Sequence, residues 1–175
     1  MRKGGNFGLV QVYWGNGKGK TTSALGTSLR ALASGYKVHL VQFMKDGKSS
    51  EVKALRKFRN FSAKSFAPKT WFSEKTIKEH EKKANEAFSH LKSSFRKKYN
   101  LIIADELLYA VQFGLISEES VINLIKKKPK NIELIITGSH KPFPKIFAVA
   151  DLVTEIRKIK HPYDRGIKAR KGIEF

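Results

Sequence analysis

Short apolar runs alternate along the chain with longer stretches in which apolar residues recur every three or four positions. Residues 8–13, Gly-Leu-Val-Gln-Val-Tyr, suit a central strand buried on both faces. Over residues 20–34 Ala24, Leu25, Leu29, Leu32 and Ala33 keep helical spacing, and Gly35 supplies a stop. Residues 37–43 read as a second strand, and residues 44–50 as a loop with a turn signal. A short helix over 50–58 and a third strand over 61–66 follow. Residues 67–72 then break the pattern and place Trp71 and Phe72 in a loop.

Ser73 is a good N-cap for a long charged helix reaching about Lys98, with Ile77, Ala84, Ala87, Phe88, Leu91 and Phe95 as its apolar stripe. Residues 100–104 form a fourth strand that ends at Asp105 and Glu106. Helices are expected over 107–113 and, capped by Ser117, up to Lys127. A fifth strand over 132–137, a loop over 138–142, a short helix over 144–149 and a sixth strand over 152–156 complete the order, before a basic tail over 157–175. Strands alternating with helices predict an α/β fold with a mainly parallel six-stranded sheet and helices on both faces. At 175 residues this is one domain, 1–175, with enough chain to bury a core.

The first strand runs into Gly15-Asn16-Gly17-Lys18-Gly19-Lys20-Thr21-Thr22, and a helix follows at once. Glycines at alternate positions let a backbone turn its N–H groups toward an anion, and the helix adds its positive dipole end. Lys20 would reach the outer phosphates of a nucleoside triphosphate, and the Thr21 hydroxyl would stand where magnesium bridges them. The general pattern asks for glycine at position 14, where this chain has Trp14; the strand-loop-helix context supports the reading regardless. The plain alternative, a connecting turn, does not require Lys-Gly-Lys-Thr-Thr. An apolar strand ending in two carboxylates supplies the other half of such a site, with Asp105 or Glu106 holding magnesium directly or through water. Helix capping by the same pair is the competing reading.

With these residues in view, the chain resembles the ATP:corrinoid adenosyltransferases that share a RecA-like phosphate-loop fold. The resemblance runs from about residue 8 to the C-terminus. It rests on Gly-Asn-Gly-Lys-Gly-Lys-Thr-Thr (15–22), Val-Gln-Phe-Met-Lys (41–45), Ala-Asp-Glu (104–106), Thr-Gly (137–138), Ala-Asp-Leu-Val-Thr-Glu (150–155), Lys-His-Pro-Tyr (160–163) and Gly-Ile-Lys-Ala-Arg-Lys-Gly-Ile-Glu (166–174). It implies transfer of the 5′-deoxyadenosyl group of ATP to the cobalt(I) of a reduced corrinoid, in adenosylcobalamin biosynthesis or salvage, with triphosphate released. ATP, Mg2+ and a corrinoid are the implied ligands, a reductase or flavin electron donor the implied partner, and a homodimer the implied assembly. Lys20 and Thr21 would bind triphosphate, Thr21 with Glu106 would hold magnesium, and Trp71 matches an aromatic that displaces the corrinoid's lower ligand. Three positions depart from the family: Trp14, Ser139 where arginine commonly follows Thr-Gly, and Lys69 where some members carry a second aromatic.

Charge alters the picture least. The 35 Lys and Arg against 15 Asp and Glu leave a net charge of +20, which attracts polyanions without choosing among them. Lysines that keep the protein soluble explain the excess, and no specific nucleic-acid element is evident. A nucleic-acid-dependent ATPase of the same broad fold, or a non-catalytic nucleotide or corrinoid binder, are the rival functions. The lack of cysteine excludes disulfides and thiolate metal sites. No membrane span or signal sequence is evident, so the cytoplasm is the expected compartment.

Overall fold

The computed structural model describes residues 7–70 and 72–174. Its six strands are β1 (Val10–Trp14), β2 (Val38–Phe43), β3 (Phe61–Phe66), β4 (Leu101–Asp105), β5 (Glu133–Thr137) and β6 (Leu152–Glu155). The helices are α1 (Lys20–Ala33), α2 (Ser50–Leu55), α3 (Ile77–Ser94), α4 (Leu107–Gln112), α5 (Glu118–Lys126) and α6 (Pro144–Phe147). All strand pairs are parallel, in the order β3-β2-β4-β5-β1-β6. The expected α/β sheet is therefore present.

Residue alternation along the central strands builds two cores. On one face Leu40, Leu101, Ile103 and Ile135 meet Ala24, Leu25 and Leu32 of α1 and Val52 and Leu55 of α2. On the other, Val41, Phe43, Ile102, Ala104, Leu134 and Ile136 meet α3, α4, α5 and Ile146 of α6. Successive β4 residues thus serve opposite faces, as the two-residue period of a strand requires. Ile103 and Ile135 are wholly buried, and each such side chain contributes about 1.5–3 kcal/mol through lost apolar exposure. Glu133, buried at the start of β5, accepts the N–H groups of Gly8 and Leu9 and the Gln11 side-chain amide, fixing where β1 enters the sheet.

One element differs from the pattern reading. The long charged helix begins later, because Ser73 and Thr76 exchange side-chain and backbone hydrogen bonds and tighten residues Glu74–Thr76 into a 3-10 turn. Its buried face includes His80, whose Nε2 lies 3.1 Å from Thr70 O, so a polar residue completes the apolar stripe. The sixth strand pairs with β1 at the sheet edge, and all its residues are exposed. Among the described residues no helix is long and apolar enough to cross a membrane.

The consequence for function is positional. Because β5 lies between β1 and β4, the segments leaving the C-terminal ends of all three open on one edge of the sheet, where parallel α/β folds bind ligands.

Candidate active site

Gly15 and Gly19 take φ values of 114° and 126°, a region that side chains oppose. The space around Gly15 is also filled: a Cβ there would collide with Ile156 O, and one on Gly17 would come within 2.8 Å of the Arg157 carbonyl carbon. The segment after β6 thus packs directly on the loop. Gly15 N–H donates to Ser139 O at 3.0 Å and Gly17 N–H to Ile156 O at 2.7 Å. Two of the three glycines therefore use their N–H groups to hold the loop in place, and the opening of α1 at Lys20 is what offers N–H groups to an anion.

Lys20 reaches back over the loop, its Nζ 2.7 Å from Gly15 O and 2.9 Å from Gly17 O. Burial lowers its pKa, opposed by the charge of Glu106 and reinforced by Lys45. Thr21 Oγ1 donates to Asp105 Oδ1 at 2.8 Å, joining the start of α1 to the end of β4. Asp105 is fully buried. Its Oδ1 also accepts from Thr137 Oγ1 at 2.7 Å, and its Oδ2 from Gln42 Nε2 at 3.0 Å and Lys45 Nζ at 2.9 Å. Burial pushes the Asp105 pKa up, but Lys45 and these hydrogen bonds outweigh it, and the carboxyl is held below its ordinary value.

Glu106 is different. It sits in the left-handed region at φ 64°, pinned by an N–H donated to Thr137 Oγ1 at 3.0 Å. Its Oε1 pairs with Lys45 Nζ at 2.9 Å, whereas its Oε2 is buried without a partner. Burial raises its pKa, with Lys45 opposing and Asp105 adding to the rise. Asp105 has both oxygens engaged and orients its neighbours; Glu106 keeps an oxygen free for a ligand. That free oxygen, together with the Thr21 hydroxyl, is a hard donor set of the kind magnesium takes beside phosphate oxygens. The residues present fit the metal.

The loop lines a cleft of about 650 Å³ together with Leu25, Leu29, Phe58, Lys45, Glu106 and Tyr109. Gly172, Ile173 and Glu174 form part of its wall. The C-terminal segment reaches this position through the loop itself: Asn16 Oδ1 accepts Lys158 N–H at 2.9 Å, and Lys18 Nζ meets Glu174 Oε1 at 2.8 Å.

Comparison with known proteins now bears on this geometry. Residues 6–175 match the family model of the ATP:corrinoid adenosyltransferases BtuR/CobO/CobP. The chain belongs to this family. A corrinoid adenosyltransferase of Escherichia coli (strain K12) is 32% identical over 171 residues, covering 96% of this chain and 86% of the relative. The corrinoid adenosyltransferase CobA of Salmonella typhimurium is 34% identical over 173 residues, with the same coverage of 96% and 86%. That of Pseudomonas aeruginosa is 34% identical over 176 residues, covering 96% of this chain and 84% of its own.

The structure brings most of the sequence-derived candidates together. Gly15, Asn16, Gly17, Gly19, Lys20, Thr21 and Thr22 form the loop and the start of α1, with Asp105 and Glu106 facing them. Lys18 points to Glu174 and the Ile173 carbonyl. Trp71 lies outside the described residues. Of the departures from the family pattern, Trp14 packs its ring against Phe147 at 5.2 Å, on the sheet face away from α1. Ser139 is buried at φ 65°, its Oγ 2.9 Å from Gln112 Oε1 and 2.7 Å from Lys141 O, so it shapes the segment after β5.

Lys45 is the site residue that the sequence reading quoted within residues 41–45 but gave no role. Its signal was its place in a loop at the C-terminal end of a parallel strand. Gln42 and Thr137 were hidden for another reason: each is a polar residue in a wholly buried strand, and only the fold shows that both aim at Asp105.

Proposed function

We propose that this member of the adenosyltransferase family transfers the 5′-deoxyadenosyl group of ATP to the cobalt(I) of a reduced corrinoid and releases triphosphate. The observation that supports this most is the single cluster of Lys20, Thr21, Asp105, Lys45 and Glu106 at the mouth of a nucleotide-sized cleft. In the reaction the cobalt(I) electron pair forms a bond to carbon 5′ of the ribose while the carbon 5′–oxygen bond breaks toward the triphosphate. Cobalt(I) is itself the nucleophile, so the protein contributes alignment and charge rather than an attacking group.

Each residue then has a task. The start of α1 and Lys20 bind the triphosphate and stabilise the charge it gains on departure. Thr21 and Glu106 would hold magnesium, with Asp105 fixing the Thr21 hydroxyl and Thr22 completing the helix start. Magnesium, when bound, neutralises the phosphate oxygens. Gly15, Asn16, Gly17, Lys18 and Gly19 shape the loop that carries these groups, Lys18 by clasping Glu174. Trp71 expels the lower ligand of the corrinoid, a role taken from the family resemblance.

We also read residues 1–175 as one phosphate-loop adenosyltransferase domain. It would act as a homodimer in the cytoplasm, fed electrons by a reductase or flavin donor, with the basic surface serving solubility rather than a specific nucleic acid. Incubation with ATP, magnesium and chemically reduced corrinoid tests the activity. The expected products are a light-sensitive cobalt-carbon bond and inorganic triphosphate. ADP with phosphate would mark an ATPase, and unchanged ATP a binding protein.

A further inference from the structure

We infer that Lys45 is a resident counter-ion for the magnesium site, standing on the Thr21 hydroxyl and both carboxylates in the nucleotide-free protein and yielding that place when magnesium and triphosphate enter. Its Nζ lies 2.9 Å from Thr21 Oγ1, 2.9 Å from Asp105 Oδ2 and 2.9 Å from Glu106 Oε1. These groups are the ones that would bind or orient the metal, so the inference rests on the magnesium role proposed above. The backbone aims Lys45 there: Met44, immediately before it, takes φ 55°, and Met44 N–H is held by Phe66 O at 3.2 Å. The turn out of β2 is therefore bent to deliver this side chain.

The cluster needs such a cation. Asp105 is fully buried and the adjacent Glu106 is partly buried, and two negative charges in that position repel and are poorly solvated. Lys20 is occupied by the loop carbonyls of Gly15 and Gly17. Among the described residues Lys45 alone forms ion pairs with both carboxylates.

Lys45 and a divalent cation exclude one another. Thr21 Oγ1 donates its hydrogen to Asp105 and accepts from Lys45, so a metal taking its remaining lone pair would sit directly beside the ammonium. A metal bonded to that oxygen at about 2.0–2.1 Å would bring a second positive charge against the ammonium. Lys45 also lines the cleft, so its freed ammonium has the triphosphate to turn to. The lysine would in this way make metal binding wait for nucleotide, which brings the negative charge that re-pairs it.

Manganese(II) provides a probe that needs neither ATP nor corrinoid. In spin-resonance titrations of the nucleotide-free protein, Lys45→Met is expected to bind manganese about tenfold or more tighter than the wild type, the size of an ordinary coupling between competing occupants. The same variant is expected to lose a similar factor in affinity for inorganic triphosphate measured without metal. Unchanged or weaker manganese binding in a folded Lys45→Met protein would overturn the inference. Should that variant fail to fold, Lys45→Met combined with Glu106→Gln removes one charge of each sign. Its recovery of folding would uphold the counter-ion role, and continued failure would assign Lys45 to packing. Failure of the adenosylation assay would strike the proposed function and leave the manganese result standing.

Discussion

Lys18 Nζ and Glu174 Oε1 lie 2.8 Å apart, which ties the phosphate loop to a segment 156 residues later in the chain. Arg170 grips the same carboxylate at 3.1 Å, so the segment is folded on itself before it reaches the loop. Glu174→Ala should raise KM for ATP severalfold while leaving kcat and the melting temperature nearly unchanged, because exposed pairs add little to stability. An unchanged KM in steady-state kinetics would show that this wall of the cleft does not touch the nucleotide.

Lys20→Ala should lower turnover by about a hundredfold or more, the usual loss when a group that stabilises developing charge is removed. Folding should survive, since Lys20 gives up only its hydrogen bonds to the carbonyls of Gly15 and Gly17. Single-turnover kinetics from prereduced cobalt(I) would expose a near-normal rate and so discard the phosphate-loop assignment.

The two strained glycines should respond differently. Gly15→Ala meets both an unfavourable φ and the Ile156 carbonyl, whereas Gly19→Ala meets only the φ, with nothing within 4 Å of the added carbon. The first should cost more nucleotide affinity than the second. Calorimetric titration with a non-reactive ATP analogue would reveal the reverse order if the loop were free to move off Ile156.

Thr137 serves two masters, accepting from Glu106 N–H and donating to Asp105 Oδ1. Thr137→Val strips both at a buried position and should destabilise by about 1–3 kcal/mol, with the magnesium dependence of turnover weakened as Glu106 loses its anchor. Thr137→Ser should restore both properties. Urea melts and magnesium titrations of the three proteins decide it, and a serine variant as impaired as the valine would remove the hydroxyl from the account.

A pH effect lies outside the lining of the cleft. His39 is buried, with Nδ1 2.7 Å from Ser62 Oγ, Nε2 3.0 Å from His90 Nε2 and its ring stacked on Tyr99 at 4.6 Å. Burial, then His90, Lys97 and Lys64, push its pKa down to about 4 from 6.5, against a rise from the Ser62 contact. The unfolded chain therefore binds a proton that the folded one refuses between these values, so the stabilisation is whole above pH 6.5 and is lost as pH falls toward 4. The loss is on the order of 3 kcal/mol. Denaturant melts from pH 7 to 4 should show this slope in the wild type and a flatter one in His39→Gln; parallel slopes would acquit the histidine.

Much of the site was legible because its chemistry is local. Gly15 to Thr22 lie consecutively between a strand and a helix, and Asp105-Glu106 close an apolar run, so spacing alone marked a phosphate loop and an acid pair. The period of apolar positions likewise determined six strands and the helices between them, since burial on one face or two leaves its trace residue by residue.

What the tertiary structure decided is everything that depends on neighbours distant in sequence. Strand order placed β5 between β1 and β4, and with it Thr137 against the Asp105 carboxylate and the Glu106 backbone. The carbonyls of Ser139 and Ile156, accepting from Gly15 and Gly17 N–H, turned two glycines from anion donors into anchors. The turn after β2 carried Lys45 onto three site oxygens contributed by two other segments. Periodicity records whether a residue is buried, but a hydrogen bond or ion pair between remote segments has no period, and only the folded chain states which polar groups meet.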